Sequence, residues 1–192
     1  MPMDATRTPP RAPAEIDWPT FVETYGRAVL AWLHQTGLPA ADVQALAREF
    51  LRGVAPEFQA VVNEPALRFR AWLQYAGHKC WCRLMEGRVE AAESDGETSP
   101  QLALLLSVES HDAFLRALDV ECTHQRRRAA LARVQPLADP PDWEMFDRLV
   151  LRGEPVEPVA AEFGCGELAA RAAAYRVQLA LQNELRAVEE TL

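Results

Sequence analysis

The stretch Trp143–Leu185, WEMFDRLVLRGEPVEPVAAEFGCGELAARAAAYRVQLALQNEL, decides the fold. Trp143 and Phe146 stand at helical spacing and lead through Gly153-Glu154-Pro155 into Val159-Ala160-Ala161-Glu162-Phe163-Gly164. Three residues later an Ala-rich helix begins, carrying Arg176-Val177 and Glu184-Leu185. A short helix, a glycine able to take the left-handed turn and a second, longer helix make a helix-turn-helix, whose second helix can enter a DNA major groove.

Outward from that stretch, the 192 residues suffice for one large or two small domains with a core in each. Cys80, Cys82, Cys122 and Cys165 are few for this length, and no charged segment followed by an apolar run opens the chain, so the expectation is a reduced, cytoplasmic protein. Apolar runs such as Leu102–Leu106 fall far short of the roughly 20 residues that cross a bilayer. The net charge of −8 is unevenly spread. Val61–Val89 holds Arg68, Arg70, Lys79, Arg83 and Arg88 against Glu64 and Glu86, whereas Glu90–Glu121 holds eight acidic residues and only Arg116. Phosphate binding needs basic surface, so the acidic stretch reads either as a solvated linker or as a cover for the basic helix.

The organisation along the chain is helical throughout. Four prolines make Met1–Ile16 a disordered tail. Thr20-Phe21-Val22-Glu23 fits a capping box, after which Phe21, Tyr25, Val29, Trp32 and Leu33 share a face that Gly37 ends. Val43, Leu46, Ala47, Phe50, Leu51 and Val54 form the stripe of a second helix. A third runs from about Ala66 to Met85, with Phe69, Trp72, Leu73, Ala76, Cys80 and Leu84 inward. Residues 89–111 then read as an acidic linker with one short helix, followed by a long helix over Asp112–Val134, a break at Pro136–Pro141 and the helix-turn-helix. The expected fold is all-α in two helical domains, 17–88 and 112–192, the first a three- or four-helix bundle.

In this order and spacing the motifs resemble a bacterial extracytoplasmic-function (ECF) RNA polymerase sigma factor, most closely the divergent planctomycete-type members. Asp42–Leu51, with Leu46, Glu49 and Phe50, is similar to the helix with which such factors grip the polymerase clamp. Phe69-Arg70-Ala71-Trp72-Leu73 resembles the start of the helix that reads and melts the promoter −10 element. Ala132-Arg133-Val134, then Trp143, Phe146, Gly153 and Pro155, resembles the approach to the C-terminal helix-turn-helix, which Val159–Gly164 and Arg176-Val177 complete. The likeness covers roughly residues 18 to 88 and 112 to 188. It departs where the clamp helix usually reads Asp-Leu-Val-Gln-Glu, here Ala45-Leu46-Ala47-Arg48-Glu49, and where the recognition helix carries Gly166, Ala172, Ala173 and Ala174 at customary basic or hydroxyl positions.

The resemblance implies a region 2-like domain over 17–88, a region 4-like domain over 112–192, and transcription initiation with core RNA polymerase and promoter DNA as partners. It implies an anti-sigma regulator as a further partner and a monomer when free, with no cofactor and no catalytic residue. Asp42, Leu46, Arg48, Glu49 and Leu51 would bind the polymerase. Arg70, Tyr75, His78, Lys79, Trp81 and Arg83 would serve −10 melting, aromatic faces stacking on extruded bases and cations meeting the backbone. Arg171, Tyr175 and Arg176 would read the −35 element. Trp72 has the spacing of a core residue, while Trp81 breaks the stripe and leaves packing and base stacking both open. Arg126-Arg127-Arg128 reads as a solvated face or a phosphate contact. His78, Cys80, Cys82, Cys122 and His124 invite zinc, but Cys80 and Cys82, two apart on a helix, point to nearly opposite sides, so no metal is expected. Nothing resembles a P-loop, a nucleophile elbow or a dinucleotide fingerprint, so no enzyme is expected. A second reading, from a different class, is a sigma-derived module that binds another protein in transcriptional regulation and no promoter of its own.

Overall fold

The computed structural model describes residues 17–61, 66–95 and 100–190, and every regular element among them is helical. The chain divides into two compact units, residues 1–123 and 124–192. The tail expected over Met1–Ile16 lies outside the described residues. None of the described helices is long and apolar enough to cross a membrane.

The first unit is built from α1 (Trp18–His34), α2 (Ala40–Val61), α3 (Ala66–Asp95), α4 (Pro100–Leu105) and the first part of α5 (Val108–Val134). Asp17 caps α1: its Oδ1 accepts from the Thr20 N–H at 2.9 Å, and Pro19 sits in the first turn, where a missing N–H leaves no bond unmade. The expected capping box at Thr20 is thus corrected to a cap three residues earlier. Gly37 takes φ +74° in the turn that follows α1. The apolar stripes of α1 and α2 close on α3 around Phe21, Tyr25, Phe50, Phe58 and Leu73, all essentially sealed from solvent. Each such side chain contributes about 1.5–3 kcal/mol by leaving water.

Two boundaries differ from the sequence expectation. The segment 89–111 holds the short helix expected of it, α4, but does not stand apart as a linker: α3 runs to Asp95, and Leu105 of α4 is buried in the first core. The helix expected to open the second domain instead gives Phe114, Leu118 and Cys122, spaced i, i+4, i+8, to the first core. A Cβ on Gly77 would stand 2.8 Å from Leu118 Cδ1, so glycine there lets α3 and α5 approach closely.

The second unit comprises the rest of α5, α6 (Pro140–Phe146), a π-helical turn over Asp147–Leu151, α7 (Val156–Glu162) and α8 (Glu167–Glu190). Phe146 is buried with Ala130, Val134, Ala174, Val177 and Leu181. Met145, Val156, Val159 and Ala160 pack with Ala170 and Ala173. Ala170, Ala173 and Ala174 of α8 therefore serve packing, since small side chains let α6 and α7 lie close to it, whereas Ala169, Ala172 and Ala180 are exposed.

Candidate nucleic-acid interface

The turn between α7 and α8 has the geometry expected from Gly164. Phe163 ends α7, Gly164 takes φ +62°, its N–H donates to Ala161 O at 3.1 Å and the Cys165 N–H donates to Ala160 O at 3.0 Å. This paired closure satisfies carbonyls that the end of α7 leaves open. Arg148, from the π-helical turn, fixes α7 from the other side, with Nη2 at 2.7 Å from Glu154 Oε2 and Nη1 at 2.5 Å from Glu162 Oε2. The same hydrogen bond from Arg148 holds the Glu162 carboxyl below its ordinary value.

On α8 the buried residues are Ala170, Ala173, Ala174, Val177 and Leu181, so the opposite face is exposed. Arg171 and Tyr175 stand on that face, Tyr175 being 59% exposed. Arg176 is turned to its own unit: Nε and Nη2 donate to Asp142 Oδ2 and Oδ1 at 2.7 and 2.6 Å. That bidentate bond raises the Arg176 pKa above its ordinary value and occupies the fork a base or phosphate would use. Ala173 and Ala174 are buried, so only Gly166 and Ala172 of the four substituted positions remain outward.

No family model, curated protein or solved structure matches the chain.

On α3, Tyr75, His78, Lys79 and Arg83 lie outward together. Lys79 Nζ bonds Glu57 Oε1 at 2.7 Å and stands 5.8 Å from the centre of the Tyr75 ring. The Glu57 bond raises the Lys79 pKa and lowers that of Glu57. His78 Nδ1 lies 3.0 Å from His111 Nε2 on α5. Arg70 is half-buried, its Nε and Nη2 donating to Asp119 Oδ1 and Oδ2 at 2.6 and 2.7 Å. Trp81 is 7% exposed, its ring 5.3 Å from those of both Trp32 and Phe114. Of the two readings open for Trp81, the structure gives packing: a ring wedged between two core aromatics has no face free for a base. It breaks the α3 stripe because it meets α1 and α5, whereas Leu73 and Ala76 belong to the central row.

The polymerase-binding set on α2 splits in the same way. Leu46 is buried in the core, which corrects it as a contact residue, while Leu51 packs against that core partly covered. Arg48 and Glu49 point outward, Arg48 Nε donating to Gln44 O at 3.1 Å, and Asp42 Oδ1 lies 3.9 Å from Arg88 Nη1. No disulfide joins any of the four cysteines, and burial pushes the Cys80 thiol up to about 11. Among the described residues no group of three His, Cys, Asp or Glu side chains forms a metal cage. Sequence reasoning missed Asp142, Asp119 and Glu57, the partners of Arg176, Arg70 and Lys79. They lie 34, 49 and 22 residues away along the chain, beyond any local spacing rule.

Proposed function

We propose that the chain is a transcription initiation factor of the ECF sigma type, its first unit engaging core RNA polymerase and its second meeting the promoter −35 element. The observation that carries this is the helix-turn-helix of α7 and α8, with its glycine closure and with Arg171 and Tyr175 outward on the second helix. With Arg176 tied to Asp142, base reading falls chiefly to Arg171 and Tyr175, so discrimination is modest; a good bidentate base contact is worth about 1–3 kcal/mol. Tyr75, His78, Lys79 and Arg83 give α3 an aromatic and cationic face suited to unpaired strand.

Run-off transcription with core enzyme tests this reading. Promoter-directed transcript is expected from the wild type and is lost in Arg171→Glu, while binding to core enzyme stays unchanged. No transcript from the wild type at any salt concentration contradicts it.

A second reading is a sigma-derived protein-interaction module. It is favoured by the apolar character of the outward face of α8, where Leu168 is 83% exposed, and by the engagement of Arg176 with its own unit. In that case Arg171→Glu leaves the regulatory activity intact.

A further inference from the structure

A row of polar contacts in constant antiparallel register joins α3 to the start of α5. Arg70 Nε and Nη2 donate to Asp119 Oδ1 and Oδ2 at 2.6 and 2.7 Å, Gln74 Nε2 donates to the Leu115 carbonyl at 3.1 Å, and His78 Nδ1 lies 3.0 Å from His111 Nε2. Each step of four residues forward on α3 is matched by a step of four back on α5, so the row follows one edge of each helix. Behind it Phe114 and Leu118 are buried in the first core, which anchors α5 and leaves only the side chains of the row able to exchange partners. An open cavity of about 430 Å³ runs alongside, lined by Arg70, Gln74, Asp112, Leu115, Arg116 and Asp119. His78 stands one turn from Tyr75, so the row borders the outward face of Tyr75 and Lys79.

We propose that Asp119 is an internal stand-in for a phosphate of unpaired nucleic-acid strand: its carboxylate occupies the Arg70 fork, and a strand gains Arg70 only by displacing it. Carboxylate and phosphate both fit a guanidinium bidentately, so one can replace the other at the same donors. The pair lies at the surface, its side chains 43% and 31% exposed, which puts the fork within reach of a ligand and keeps the bond weak enough to exchange. While Asp119 stays in place the cavity is electrically balanced, the guanidiniums of Arg70 and Arg116 being offset by the carboxylates of Asp112 and Asp119. Tyr75 and Lys79 beside the row supply the stacking surface and the cation that favour a strand as the anion. The choice of strand rests on the proposed function, but the measurement reads strand binding alone and not transcription.

Fluorescence anisotropy of a labelled single-stranded oligothymidylate with the full-length chain tests the proposal. Asp119→Asn removes the competing charge at nearly constant shape, and it tightens binding about threefold or more, the scale of a half-exposed ion pair. It also steepens the fall of log affinity with log salt by about 0.7, the signature of one further phosphate contact. Asp119→Ser, with unchanged circular dichroism, behaves alike. Asp112→Asn removes the same charge from the same cavity without a bond to Arg70; it changes affinity by less than about twofold and leaves the salt slope as it was. Adding Arg70→Gln to Asp119→Asn abolishes the gain. Absence of strand binding by both wild type and Asp119→Asn overturns the proposal, as does an Asp119→Asn chain that binds no tighter than wild type. A gain that Asp112→Asn matches, or that survives Arg70→Gln, overturns it equally. The expected strand results without any run-off transcript would count against the sigma reading alone.

Discussion

Two aromatic residues of α3, Tyr75 and Trp81, are six positions apart and differ in every physical respect. Tyr75 is 59% exposed beside Lys79, whereas Trp81 is wedged between Trp32 of α1 and Phe114 of α5. Trp81→Ala therefore costs about 3–5 kcal/mol of stability by emptying a ring-sized volume in the first core. Tyr75→Ala changes stability by under about 0.5 kcal/mol. Urea denaturation of the two variants checks this, and a mild effect at Trp81 would contradict its place in the core. Local periodicity places Phe69, Leu73, Ala76 and Cys80 correctly on the inner side, since one helix face explains them. It leaves Trp81 open because a helix enclosed by α1, α2 and α5 has more than one inward face, and Phe114 of α5 is more than thirty residues further on. The ion partners Asp119, Asp142 and Glu57 are hidden for the same reason. An isolated arginine or lysine in a sequence reads as solvated until the distant carboxylate that meets it is known.

At the scale of elements, the helix-turn-helix was legible because its signals are local: Gly164 for the left-handed turn, Pro155 before α7 and an alanine-rich α8. The unit boundary was not, because it falls inside a helix. α5 is continuous from Val108 to Val134, yet Phe114, Leu118 and Cys122 belong to the first core and Ala130 and Val134 to the second. A helix shared between cores shows no break in composition, and the Gly, Ser and Pro residues before it draw the boundary too early. The first unit consequently requires the start of α5. A chain ending at Thr123 is expected to melt cooperatively by circular dichroism, whereas one ending at Ser107 exposes Trp32, Phe50 and Trp81 and loses that transition. Indistinguishable melting of the two would contradict the assignment of Phe114 and Leu118 to the first core.

For the molecule as a whole, the charge pattern acquires a structural meaning. The basic stretch of α3 is largely met within its own unit, Arg70 by Asp119, Lys79 by Glu57 and Arg88 by Asp42. Asp119 comes from the acidic stretch that follows α3, so part of that stretch does oppose the basic helix instead of standing apart as a linker. Half-exposed ion pairs of this kind are individually weak and salt-sensitive. By contrast, α2 presents Arg48 and Glu49 to solvent while Leu46 is buried and Leu51 partly covered, so under the proposed function the charged side chains carry most of the grip on the polymerase. Glu49 is exposed, so reversing its charge is expected to leave the fold of the first unit intact. The most direct measurement is co-elution of the full-length chain with bacterial core RNA polymerase on a sizing column, with Glu49→Lys alongside. Stable co-elution of the wild type, lost in Glu49→Lys, is the predicted result; a wild type that elutes apart from the polymerase would contradict the account.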